Sequence, residues 1–325
     1  MLKHPFLTGS ILLILAFVLS IALGAVIIPP GNALRILAGK LPWFDGSGNW
    51  PDYFETILWD LRLPHTILVA LTGAALAGSG ATFQGLFRNP LADPYLIGVA
   101  SGAGLGAIAV MSIPQAGRYL VPIGAFLGGL GTIGAVYSLA KVGRIVPLTT
   151  LILAGVAIGS FTSALTSFLM LSSDQMVLQA MSFLLGGSTV TGWEPLIIAL
   201  PYFSVGLTLL VFCGHSLNVL QFGEEQAQQL GLSVERIKLF IIISASLTTA
   251  AAVSFSGVIG FIGLVVPHII RILWGGNYKK LVPLSILGGG TALLVSDMLA
   301  RIIMAPRYLP VGIVTALIGA PFFLW

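Results

Sequence analysis

The sequence has few charged residues and little of the chemistry on which enzymes depend. Only 8% of its 325 residues are Asp, Glu, Lys or Arg. Cys213 is the single cysteine, which excludes a disulfide framework and a thiolate metal cluster. The four histidines, at positions 4, 65, 215 and 268, show neither i, i+4 spacing nor an HExxH pattern, so no metal site is predicted. No pair of nucleophile and base can be assembled from the polar residues either, and an intramembrane enzyme is therefore disfavoured.

Long apolar stretches dominate the chain instead. A bilayer core about 30 Å thick is crossed by roughly 20 apolar helical residues. Ten stretches qualify, at approximately 8–28, 63–83, 94–112, 119–140, 148–171, 193–213, 237–255, 258–274, 281–300 and 310–325. Because these stretches lack the alternation of barrel strands, they predict an all-α integral membrane protein with about ten transmembrane helices. We interpret residues 1–28 as a retained helix, although a signal peptide is the alternative.

The sequence shows no second, soluble domain. No polar or Ser/Pro-rich block is long enough to form one, so residues 1–325 are predicted to be a single transmembrane domain. Placing the N-terminus inside puts most of the 15 Lys and Arg residues in cytoplasmic loops, as the positive-inside rule requires. Both termini are then cytoplasmic, residues 29–62 are extracytoplasmic and residues 217–238 form a cytoplasmic loop. No basic patch interleaved with aromatic residues is present, so a nucleic-acid partner is not expected.

The central thirds of the predicted membrane spans carry no Asp, Glu, Lys or Arg residue. Ion-coupled secondary transporters normally hold ionisable residues there. Burying such residues in a membrane is costly, so those that are present are usually functional. An ion-coupled secondary transporter is therefore the less favoured alternative. The phosphate-binding pattern GxxxxGK[ST] is also missing, so ATP-driven transport would require hydrolysis on another polypeptide.

Five motifs, in order, give the sequence a family resemblance. They are RLP, QGLFRNPLADPYLIGVASGA, GEEQAQQLG, GFIGLVVPHIIR and LPVGIVTALIGAPFF. Along nearly its whole length the chain resembles the FecCD-like permeases of ABC importers, which include iron-siderophore, haem and cobalamin permeases. The resemblance implies a type II importer fold in a bacterial or archaeal plasma (inner) membrane, and import of an iron complex or cobalamin by alternating access. Oxyanion importers share these motifs and remain an alternative.

The resemblance also implies partners. The permease is expected to form a homodimer within the lipid bilayer, with two ABC ATPase subunits inside and one substrate-binding protein outside. This chain is expected to bind no cofactor itself, because ATP and Mg²⁺ would lie on the partner ATPase.

One segment of the cytoplasmic loop is the candidate contact with the ATPase. Its residues 223–230 predict a short helix, with two acidic residues in the first turn and a glycine placed to end it. By itself this pattern fits an ordinary solvated helix equally well. The resemblance implies that it is the coupling helix, formed by Gly223, Glu224, Glu225, Gln226, Ala227, Leu230 and Gly231.

A cytoplasmic gate is a second candidate site that follows from the resemblance. The turn FRNPLADP and the start of the fifth span would form the cytoplasmic gate, with Asn89, Leu91, Leu148 and Thr149 as gate residues. Their alternative role is purely structural.

Basic residues at the outer ends of two spans would dock the binding protein, namely Arg62, His65 and Arg301. The alternative for the arginines is snorkelling to lipid phosphate. The family pattern RLPR is RLPH here, so His65 replaces a second arginine.

Overall fold

The computed structural model describes most of the chain. The described residues are 4–24, 26, 28–40, 50–115, 117, 119–143, 145–171, 174–187, 191–305 and 307–324, with the backbone alone for residues 30 and 174–176. Residues 41–49 of the predicted extracytoplasmic segment therefore lie outside the described part.

Within the described residues the fold is entirely helical. The α-helices are α1 Pro5–Ala22, α2 Pro30–Ala38, α3 Asp52–Thr56, α4 Leu63–Phe87, α5 Val99–Met111, α6 Leu120–Ala140, α7 Leu148–Leu171, α8 Asp174–Leu184, α9 Trp193–Leu220, α10 Glu224–Gln229, α11 Val234–Ser256, α12 Ile262–Trp274, α13 Tyr278–Ile303 and α14 Val311–Leu324. A π-helical segment, Ile57–Arg62, joins α3 to α4, and a 3-10 turn, Pro94–Ile97, precedes α5. The predicted all-α class is confirmed.

The membrane-crossing helices fall into two length classes. Among the described residues, seven helices are long and apolar enough to cross a membrane by length and composition. Three shorter apolar helices, α5, α12 and α14, occupy the positions of the other three predicted spans. A helix of 13 residues such as α5 rises only about 20 Å at 1.5 Å per residue, less than a bilayer core. The count agrees with the predicted ten, but three of the crossings need the non-helical residues beside them.

Helix α4 occupies the centre of the bundle, where glycines permit close packing. A Cβ atom added at Gly73 would lie 2.2 Å from the carbonyl oxygen of Gly289 in α13. One added at Gly80 would lie 2.0 Å from the carbonyl oxygen of Gly263 in α12. Small residues drive association in membranes because they let backbones approach without a clash. These glycines therefore hold α12 and α13 directly against α4.

The segment before α4 covers the outer end of the bundle. Ile28, Ala33 and Ile36 are buried together with Ile21 of α1 and Leu58 of the π-helical segment. The sequence predicted an extracytoplasmic segment here and assigned it no membrane span. The structure forms α2 and α3 in this segment. Ala33 and Ile36 of α2 are buried against α1 and the π-helical segment, and Phe54 of α3 packs against the same cluster.

Candidate functional site

The predicted coupling helix is present as α10, between two glycines in left-handed backbone conformations. Gly223 precedes it with φ +110° and Gly231 follows it with φ +84°. Residues that carry a side chain rarely adopt such backbone angles, so these glycines define both ends of the helix. Ala227 is fully buried against the bundle, whereas Leu230 is 68% exposed. A short helix therefore stands on the cytoplasmic face with an apolar side chain free for a partner.

A buried lysine, Lys238, holds α10 to the bundle. It lies near the start of α11 and is 3% exposed. Its Nζ atom lies 3.1 Å from Glu224 Oε2 in α10 and 2.6 Å from Glu235 Oε1 one turn earlier in α11. It also donates to the carbonyl oxygen of Val146 at 3.1 Å. The backbone N–H of Val146 in turn donates to Glu235 Oε2 at 3.0 Å, so the chain just before α7 is bound at both its N–H and its C=O.

The FRNPLADP segment forms a turn, as its prolines predicted. Arg88 ends α4 in a left-handed conformation with φ 51°, and Asn89 Oδ1 accepts a hydrogen bond from the N–H of Leu91 at 2.9 Å. Asp93 caps the following 3-10 turn by accepting from the N–H of Tyr95 at 2.8 Å. Burial raises the pKa of Asp93 to about 6, although that hydrogen bond acts in the opposite direction. The side chain of Asn89 is thus engaged in a hydrogen bond within its own turn, while Leu91 is 59% exposed.

The two predicted gate elements are neighbours. Leu148 and Thr149 form the first turn of α7. Further along α7, a Cβ added at Gly155 would lie 2.3 Å from the carbonyl oxygen of Leu96, in the 3-10 turn that follows FRNPLADP. The structure therefore joins the FRNPLADP turn to α7, although the gate role itself stays a prediction.

The predicted docking residues meet at the outer end of α1, with their polar groups turned into the protein. Arg62 is only 8% exposed. Its guanidinium donates to the carbonyl oxygens of Ile21 at 3.0 Å and Ala22 at 3.3 Å, and also to that of Val26. The last carbonyls of a helix have no partner within it, and Arg62 supplies one for Ile21 and a second for Ala22, whose oxygen also accepts from the N–H of Ile28 at 3.2 Å.

Asp297 of α13 is the centre of this outer network. It is fully buried, with Oδ1 3.0 Å from His65 Nε2 and Oδ2 2.9 Å from Arg301 Nε. Arg301 also donates to the carbonyl oxygen of Ser20 at 3.2 Å and to its hydroxyl at 2.7 Å. Burial, together with the neighbouring Asp297, raises the pKa of Tyr308 above its ordinary range. The network thus ties α1, α4 and α13 together, and docking by Arg62, His65 and Arg301 stays a prediction.

Sequence reasoning missed the two residues that organise these clusters. Neither Lys238 nor Asp297 was predicted to be a site residue. A local signal existed for each: Glu235 and Lys238 are three residues apart, and Asp297 and Arg301 are four apart, the spacings at which helical side chains meet. Their other partners are distant in sequence and follow only from packing. No group of three or more His, Cys, Asp or Glu side chains that could hold a metal ion occurs in the described residues.

The fold defines a multi-pass helical membrane protein. Residues 12–325 match the FecCD transport family. The chain is 41% identical over 315 residues to the cobalamin import system permease protein BtuC of Halobacterium salinarum, covering 94% of this chain and 85% of that protein. It is 41% identical over 275 residues to the hemin transport system permease protein HmuU of Yersinia pestis, covering 82% of each.

A solved structure agrees with this assignment. The chain matches an inward-facing conformation of a metal-chelate type ABC transporter with a TM-score of 0.84 and 30% identity, over 98% of this chain and 96% of that one. The chain therefore belongs to the FecCD transport family. It is a permease subunit of an ABC importer, a transport component rather than an enzyme, and a multi-pass protein of a bacterial or archaeal inner membrane.

Proposed function

We propose that this permease imports an iron complex, such as a ferric siderophore or haem, or cobalamin, by alternating access. Residues 1–325 act as one transmembrane domain that pairs with a second copy, and the substrate path runs between the two. Two ATPase subunits bind inside and an extracytoplasmic binding protein delivers the substrate. ATP binding need only favour one of two channel states for this cycle to operate.

The observation that carries the proposal is the construction of α10. Two left-handed glycines isolate it as a short helix, and Ala227 anchors it while Leu230 remains exposed. Phe222, just before it, is 69% exposed. We interpret Phe222 and Leu230, which are exposed at the two ends of α10, as part of its contact with a partner protein. The names of two relatives, which refer to cobalamin and hemin, support the substrate class.

The charges near the spans do not favour ion coupling. Arg271 in α12 donates to Gln84 Oε1 of α4 at 2.9 Å, and Asp297 is paired with both His65 and Arg301. These groups are committed to structural contacts and do not form a carboxylate site for a proton or sodium ion. The oxyanion alternative shares the ATPase requirement and is separated by substrate tests.

Reconstitution in liposomes tests the proposal. The permease is incorporated together with a candidate ATPase subunit and a candidate binding protein, and uptake of a ferric siderophore, haem, cobalamin and molybdate is measured. We expect ATP-dependent accumulation of one of the first three. Accumulation of molybdate alone would contradict the substrate class. Uptake driven by a proton or sodium gradient without the ATPase would contradict the whole proposal.

Docking of the binding protein is a separate prediction. We expect Arg62→Gln with Arg301→Gln to slow association of the binding protein and to weaken its salt dependence, because charges at the edge of an interface act mainly on the encounter rate. Surface plasmon resonance at several salt concentrations measures both. Arg35→Gln, which removes an exposed positive charge from α2, is the control.

Thermal melting of each variant decides the interpretation. Both arginines bind carbonyl groups of α1, so the double variant is also expected to melt at a lower temperature. Association at the wild-type rate by the molecules that remain folded would show that the arginines only anchor α1.

A further inference from the structure

Three separate parts of the chain converge on one ammonium group at the cytoplasmic end. Lys238 stands on α11, one of the most buried helices of the bundle. From there it reaches Glu224 of α10 at 3.1 Å and the carbonyl oxygen of Val146 at 3.1 Å. Val146 lies two residues before α7 begins at Leu148. Val142 and Ile145 close a tight turn just before it, with reciprocal hydrogen bonds of 3.0 and 3.2 Å.

We infer that Lys238 is the positioning residue through which movement of the coupling helix α10 reaches the first turn of α7. The inference rests on the proposed function, since an ATPase bound at α10 is what moves it. Displacement of α10 pulls on Lys238 through Glu224. Lys238 and Glu235 together bind the backbone C=O and N–H of Val146, so the turn closed by Val142 and Ile145 moves with them. Leu148 and Thr149 then move with it.

The burial of Lys238 and of its two carboxylate partners fits a mechanical connection between α10 and α7 better than an ion pair that only stabilises the fold. The Lys238 side chain is 4% exposed, while those of Glu224 and Glu235 are 38% and 31% exposed. A buried ion pair is weak evidence for stability, because desolvation offsets the attraction. If the lysine is replaced by a similar apolar side chain, water can still reach both carboxylates. Lys238→Met should therefore fold, while the connection from α10 to α7 is lost.

The test is transport per ATP hydrolysed in the reconstituted complex. Lys238→Met is expected to lower this ratio about tenfold, within the usual range of a coupling between two sites, while the ATPase still co-purifies and hydrolyses ATP. Lys238→Arg, which keeps the charge and its donors, should restore much of the ratio. Lys280→Met, which removes an exposed positive charge at the start of α13, should leave it unchanged.

A double-variant cycle separates this role from a purely structural one. Glu224→Gln alone should also lower the ratio, and Glu224→Gln with Lys238→Met should be no worse than Lys238→Met, because both residues act through the same contact. Additive losses would overturn the inference, as would an unchanged ratio in Lys238→Met. Loss of ATPase co-purification in parallel with transport would also overturn it, since the lysine would then serve docking alone. If Lys238→Met fails to insert, Glu224→Gln carries the same test.

Failure of the inference can be distinguished from failure of the proposed function. If the wild-type complex shows no ATP-dependent uptake of any chelate, the proposed function is wrong. If the wild-type complex transports and Lys238→Met transports with the same ratio, only the inference is wrong.

Discussion

Replacement of Gly231 by proline is expected to abolish ATP-driven transport while leaving membrane insertion intact. Gly231 has φ +84°, whereas the proline ring holds φ near −65°. Proline would also remove the N–H that donates to the carbonyl oxygen of Gln228 at 2.9 Å. Such a conflict costs about 3 kcal/mol or more. That corresponds to a shift of roughly a hundredfold in the population of the folded α10, at about 1.4 kcal/mol per factor of ten.

A matched control for Gly231→Pro is Gly231→Asn. A Cβ atom at this position would meet nothing within 4 Å, so an added side chain has room. Asparagine tolerates left-handed backbone better than most residues. Transport in liposomes should therefore remain close to wild type in Gly231→Asn. Wild-type transport in Gly231→Pro would show that the end of α10 plays no part in coupling.

Replacement of Asp297 by alanine is expected to cause a large loss of stability at the outer end of the bundle. Asp297 is fully buried between His65 and Arg301. Both guanidinium groups lie beside Gly24. A Cβ atom added at Gly24 would be 2.9 Å from Arg62 Nη2 and 3.6 Å from Arg301 Nη1, so the two guanidinium groups are close to each other. Without the carboxylate they would repel each other in a poorly solvated site. Removing one partner of a buried pair costs about 3–5 kcal/mol.

Melting in detergent, followed by size-exclusion chromatography, measures the effect of Asp297→Ala. His65→Gln should lower the melting temperature less than Asp297→Ala does. A glutamine amide can still donate a hydrogen bond to Asp297, and the pair of Asp297 with Arg301 stays in place. Asp52→Ala removes an exposed carboxylate from α3 and should leave the melting temperature unchanged. An unchanged melting temperature in Asp297→Ala would show that the outer network does not hold α1 to α13.

Local chemistry explains the features that were predicted correctly. A short helix was predicted over residues 223–230, and α10 is observed at Glu224–Gln229. Its ends could be read from the sequence because glycine is the residue that adopts the left-handed conformations required there. The FRNPLADP turn was predictable for a related reason, since its two prolines oppose helix at the residues before them.

Features that depend on packing were predicted poorly. The third span was expected from residue 94, but its α-helix begins only at Val99, after a 3-10 turn that ends at Gly98 with φ 80°. Helices α2 and α3 were not predicted because their apolar residues are too few to signal a span. Their apolar residues pack instead in one cluster with Ile21 of α1 and Leu58 of the π-helical segment.

The sequence by itself determined that this protein is helical, crosses the membrane about ten times and has a short helix that ends at a glycine near residue 231. These properties depend on long apolar runs and on residues with restricted backbone angles, both of which are local. Only the tertiary structure decided that His65 pairs with Asp297, 232 residues away, and that Lys238 joins Glu224 to Val146. Hydropathy reports where a charge is tolerated, but the partner of a buried charge depends on which helices pack together. For that reason Arg62, which looked like a surface residue in the sequence, is buried against the carbonyl groups of α1.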